Sequence, residues 1–145
     1  MAHVSAPAQL LGFSGLLPPI ALVLAQIVMP DPAWPIVTFA YTALIFSFLG
    51  GLWWTIALRR DAAQTPLLLA AVTPSLVAFA MFLLAVFRLS MTWPLVLLGS
   101  AVFLTLLVDR HLVTTGEAPT GWMGLRVPLS LGLGTLTILM ALLTG

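Results

Sequence analysis

Residues 35–58 read PIVTFAYTALIFSFLGGLWWTIAL, twenty-four positions without a charge. At ~1.5 Å rise per residue such a helix is ~36 Å long, enough to cross a hydrocarbon core of ~30 Å. Four further apolar blocks, at 10–29, 66–87, 94–115 and 125–143, are of similar length, the last two carrying Asp109-Arg110 and Arg126 near one end. Between them lie short polar joints rich in Pro, Arg, Asp and Gly. Short joints force consecutive spans to run antiparallel. The expected fold is an all-α membrane protein, one bundle of five transmembrane helices filling a single domain over residues 1–145.

Composition supports this reading. Hydrophobic residues make up 61% of the chain and charged residues 6%, and the mean hydropathy is +1.18. A soluble domain would carry roughly 25% charged residues. Cysteine is absent, which excludes disulfides, thiolate metal sites and cysteine nucleophiles. A net charge of +1 without a basic patch excludes nucleic acid as a partner. All the basic residues are arginine; with the abundance of Ala, Leu, Gly and Pro, this suggests a GC-rich bacterial genome.

Arginine also predicts the orientation. Arg59, Arg60, Arg110 and Arg126 gather on one side of the five-span topology, and only Arg88 falls on the other. Positive residues favour the cytoplasmic side. The N-terminus is therefore expected in the cytoplasm and the C-terminus in the periplasm, across a bacterial inner membrane. Trp34-Pro35 and Trp93-Pro94 open two spans from the outer side, where Trp suits the interface and Pro the first helical turn. The fourth block is too short if it stops at Val108. Carried through Asp109-Arg110-His111 to Gly116, it spans, and it sets Asp109 and Arg110 near the membrane boundary.

Four stretches, in order along the chain, carry a resemblance. They are Gly12-Phe13-Ser14-Gly15-Leu16-Leu17-Pro18, the run Tyr41 through Ser47-Phe48-Leu49-Gly50-Gly51, Val72-Thr73-Pro74-Ser75-Leu76, and Asp109-Arg110 through Trp122 to Leu125-Arg126-Val127-Pro128-Leu129. In these the chain resembles the uncharacterised family that includes mitochondrial transmembrane protein 69 and many bacterial membrane proteins, the domain of unknown function 3429. Trp53-Trp54-Thr55 stands where that family usually has one Trp followed by Gly. The resemblance implies a small five-span membrane protein and no particular activity.

Three groups of residues are candidates for function. Arg59, Asp109, Arg110, Trp122 and Arg126 cluster at the expected cytoplasmic edge. Ionisable groups at membrane depth are costly, so they pair or serve a function. Asp109 is expected to pair with Arg126 or Arg59, and the arginines also suit a phosphate head group. Trp53 and Trp54 form either an interfacial belt or a wall for a flat apolar ligand such as a quinone or tetrapyrrole. Ala43, Ser47 and Gly51, widened by Gly50, form a small-residue stripe on the second span, and Ser130 and Gly134 another on the fifth. Such stripes let helix backbones approach closely in lipid.

Other chemistry finds little support. His3 and His111 are the only histidines, and Asp109 and His111 do not share a helix face. Gly12-Phe13-Ser14-Gly15 has the form of an intramembrane serine nucleophile but lacks a matching base element. Metal sites and cofactors are not specified. The leading expectation is a non-enzymatic accessory, assembly or stabilising component of a larger membrane complex. The alternative is a membrane-embedded binder of lipid, quinone or tetrapyrrole, and the third a small transporter or channel. Expected partners are membrane lipid and another membrane protein or a second copy of the chain.

Overall fold

Six helices form the protein in the computed structural model, which describes residues 2–145. They are α1 (Ala6–Ser14), α2 (Leu17–Val28), α3 (Ala33–Ala57), α4 (Thr65–Arg88), α5 (Thr92–Thr114) and α6 (Trp122–Thr144). Helices α1 and α2 together make one membrane-length unit, Ala6–Val28, so five units are long and apolar enough to cross a bilayer. Among the described residues the only strand-like pairing is a bridge between His3 and Thr120. The chain is an all-helical, multi-pass membrane protein.

The first span differs from expectation, because it starts earlier and is interrupted. Ser5 caps α1 by accepting from the Ala8 amide at 3.3 Å. The helix pauses at Gly15-Leu16 and resumes with Pro18-Pro19 in its first turn. Proline has no amide hydrogen, so it suits a helix start and interrupts a helix interior. Pro19 therefore leaves the Gly15 carbonyl without its usual helical donor. The Tyr41 hydroxyl fills the place, donating to that carbonyl at 2.6 Å.

Two helix pairs build the bundle, α3 with α4 and α5 with α6, and α1 and α2 lie against α6. Glycine sets the closest approach in each pair. A Cβ on Gly50 would collide with the Ala71 carbonyl oxygen, and Pro74 packs beside it. Gly99 and Gly134 face each other: a Cβ on either would lie 2.8 Å from the carbonyl oxygen of the other.

The small-residue stripe of the second span packs only in part. Gly50 makes the tight contact and Ala43 lies against the core, but Gly51 does not pack within the chain. One residue along a helix turns the side-chain direction by ~100°. Gly51 accordingly faces outward, with no atom within 4 Å of where its Cβ would be. Gly134 packs as expected, and Ser130 is buried on the same helix.

Leu95, Leu98, Val102, Leu133, Met140, Phe39 and Phe46 fill the centre. Thr42 and Thr137 meet there at 2.8 Å, both fully buried. The Thr137 hydroxyl hydrogen goes to the Leu133 carbonyl at 2.7 Å, so Thr42 donates to Thr137. A buried hydroxyl without a partner would be costly, and here two helices satisfy each other.

Candidate functional site: a buried carboxylate at the arginine-rich end

Helix α5 ends where Gly116 adopts φ +73, a left-handed conformation that glycine allows. The amides of Glu117 and Ala118 fold back onto the Leu112 carbonyl at 2.9 and 3.1 Å. This keeps Asp109 more than one turn inside the helix. It is fully buried. Thr105 sits one turn earlier on the same face.

Three helices converge on Asp109. From α6, Arg126 donates Nε–H to Asp109 Oδ2 at 2.8 Å and Nη2–H to Thr105 Oγ at 3.2 Å. From α3, Trp53 donates its indole N–H to Oδ1 at 3.1 Å. Trp122, one turn before Arg126, donates to the same oxygen at 3.1 Å. Arg126 is only 5% exposed, so this is a charge pair inside the protein rather than at its surface. Trp53 and Trp122 are themselves part of an apolar cluster with Ala57, Leu112 and Ala118.

Both carboxylate oxygens are thus engaged by donors of the protein itself. A buried charge is tolerated when it is paired and hydrogen-bonded. The arrangement joins α3, α5 and α6 at one depth. As a nucleophile, base or ligand, Asp109 would first have to release these donors.

The cluster expected from the sequence is therefore brought together in part. Asp109, Trp122 and Arg126 meet, and Trp53 joins them. Arg59 and Arg110 are exposed and stand outside the cluster. Trp54, one residue from Trp53, is 43% exposed and faces outward. Ser14 is exposed, and its hydroxyl bonds the Leu11 carbonyl of its own helix at 2.6 Å.

A second polar junction, between Arg60 and Glu117, was not anticipated. The Arg60 guanidinium grips the Glu117 carboxylate at both ends, Nε to Oε2 at 2.6 Å and Nη2 to Oε1 at 2.7 Å. Hydrogen bonding from Arg60 holds the Glu117 carboxyl down at about 2 from its ordinary 4.5; burial opposes this, and the Thr115 hydroxyl and the Arg60 charge add to it. The bridge ties the α3–α4 loop to the α5–α6 loop. The N-terminal segment joins the same end, with the Val4 amide on the Thr120 carbonyl and the Thr120 amide on the Ala2 carbonyl, both 3.0 Å. The only sequence signal was opposite charge in two joints on one side of the bundle.

At the other end of the molecule a groove of about 1150 Å³ lies between α3 and α4, lined by apolar and small side chains of both. Ala43 and Ser47 of the predicted stripe face this groove.

Fold and site together define a class: a small helical membrane protein locked internally by an Asp–Arg–Trp junction. The chain belongs to the family described as Protein of unknown function (DUF3429), which it matches over residues 4–142. No curated protein and no solved structure matches it.

Proposed function

We propose that this protein is a non-enzymatic accessory component of the membrane, which docks a transmembrane helix of a larger complex against the outward face of α3. The observation that carries this reading is the notch at Gly51. Phe48, Trp54 and Leu58 are large and exposed on this helix, and Gly51 between them leaves open space. In lipid, helix association relies on close backbone approach, which such a notch provides. The polar groups of the Asp109 junction are engaged internally, which supports a structural rather than a chemical role for them.

The proposed setting is a bacterial inner membrane. The N-terminus and the arginine-rich end face the cytoplasm, and the C-terminus faces the periplasm. The support is the arginine asymmetry. A reporter fused to the C-terminus should be active only on the periplasmic side; activity in the cytoplasm would reverse the orientation.

Gly51→Leu tests the docking face. The added side chain meets open space in the isolated chain, so its folding should be unchanged. Gentle extraction from native membranes should yield the wild-type chain with a defined polypeptide at fixed ratio, and the variant without it. Loss of a second copy of the chain instead would make the face a self-association surface. An unchanged set of co-purifying chains would overturn the docking reading.

A further inference from the structure

The mouth of the groove between α3 and α4 carries a carboxamide whose amide nitrogen donates to no protein atom among the described residues. Gln26, near the end of α2, lines the groove and is 91% buried. Its Oε1 accepts from the Asp31 amide at 3.3 Å. That contact fixes which end of the side chain is oxygen, because an amide hydrogen requires an acceptor. The amide Nε2 is left free by the protein and lies at the groove wall, so it can donate to an acceptor from outside the chain.

The charge at the groove is equally specific. Asp31 is the only charged residue along its lining. One of its oxygens, Oδ1, accepts from the Ala33 amide at 2.7 Å and caps the start of α3. Its Oδ2 has no hydrogen bond among the described residues. The mouth therefore offers a carboxylate, and next to it a carboxamide donor. Below them the walls are Phe39, Ala43 and Ser47 on one helix and Ala78, Phe79 and Phe82 on the other. The volume, about 1150 Å³, exceeds the ~300–1,000 Å³ of ordinary small-molecule pockets and suits a ligand with long apolar chains.

The geometry points to a binding site for a diacyl lipid with a primary ammonium head group, the chemistry of phosphatidylethanolamine. The ammonium pairs with Asp31, an ester carbonyl accepts from Gln26 Nε2, and acyl chain lies between α3 and α4. An anionic phospholipid brings a phosphate without the compensating ammonium to Asp31 and is disfavoured there. The mouth of the groove, at Gln26 and Asp31, lies toward the opposite end of α3 from Gly51, and the lipid proposal rests on those groups rather than on the docking notch.

Native mass spectrometry of the purified chain, titrated with phosphatidylethanolamine or phosphatidylglycerol of identical acyl chains, tests this. The wild type should retain phosphatidylethanolamine at about one-tenth of the concentration needed for phosphatidylglycerol, a tenfold preference that corresponds to ~1.4 kcal/mol. Asp31→Asn should abolish that preference. Gln26→Met should weaken both lipids, as should Ser75→Leu, which fills the groove from an exposed position on its wall. If Gln26→Met does not fold, the exposed Asp31 and Ser75 variants still decide. Equal retention of the two lipids by the wild type would mean nonspecific lipid and overturn the proposal. So would a preference that survives Asp31→Asn, or retention of an isoprenoid quinone in place of the phospholipid.

Discussion

Replacing Asp109 with Asn removes one charge and changes almost no volume. The amide oxygen can keep accepting from Trp53 and Trp122, which both use Oδ1. Its NH₂ then replaces Oδ2 and faces the Arg126 Nε–H, donor against donor. A charge-assisted bond worth ~1.5–3 kcal/mol is lost, and Arg126, 5% exposed, keeps its charge without a carboxylate partner. Breaking one half of a buried pair costs ~3–5 kcal/mol in water-soluble proteins. In a membrane the unfolded reference also finds polar partners. The expected loss is therefore near the lower bound, about 3 kcal/mol. The assay is reversible unfolding in mixed detergent micelles, followed by helical circular dichroism and by tryptophan emission. The double variant Asp109→Asn/Arg126→Gln removes the unpaired charge, so it should recover at least ~1 kcal/mol of the single variant's loss through coupling between the two sites. A loss below ~1 kcal/mol for Asp109→Asn, with no coupling in the double variant, would refute the view that this pair holds α5 to α6.

The loop bridge should be sensitive to acid. The Glu117 carboxyl titrates lower in the folded chain than in the unfolded one, so its contribution is fully present above pH ~4.5 and is lost as the pH falls toward about 2. Unfolding measured across that window should show a decline in the wild type that Glu117→Gln lacks. Gly50→Ala forces a methyl against the Ala71 carbonyl and should destabilise by ~1–3 kcal/mol, in contrast to neutral Gly51→Ala; equal effects would misplace the α3–α4 contact. Thr42→Val deletes the donor to Thr137 and should cost ~0.6 kcal/mol, the average for interhelical hydrogen bonds in membranes; a gain in stability would show that this bond is not formed.

The five-span architecture was legible in the sequence because bilayer thickness dictates helix length. Runs such as 35–58 can satisfy their backbone in lipid only as helices. Gly116 was legible as a helix stop, since a left-handed residue there favours glycine. The break in the first span was less so. Pro18-Pro19 reads equally as a kink within a helix and as the start of a second one, and the Gly15 carbonyl's bond to Tyr41 is a contact across 26 positions.

The site was half legible. Asp109 and Arg126 stand out because charge at membrane depth requires a partner. Trp53 does not, because its indole N–H looks the same in sequence whether it meets interfacial water or a buried carboxylate. Nor does the choice of Arg126 over Arg59, which depends on which face of α3 turns inward.

By itself the sequence determined that this chain spans the membrane five times, with its ionisable groups near the ends of the spans, since both follow from local hydropathy and length. Only the tertiary structure decided which glycine touches, which tryptophan is buried, and that Gln26 and Asp31 share the mouth of one groove. In a bundle whose surface and core are equally apolar, the sequence carries no signal of facing. That is settled by the backbone contacts at Gly50, Gly99 and Gly134 and by the hydrogen bonds converging on Asp109.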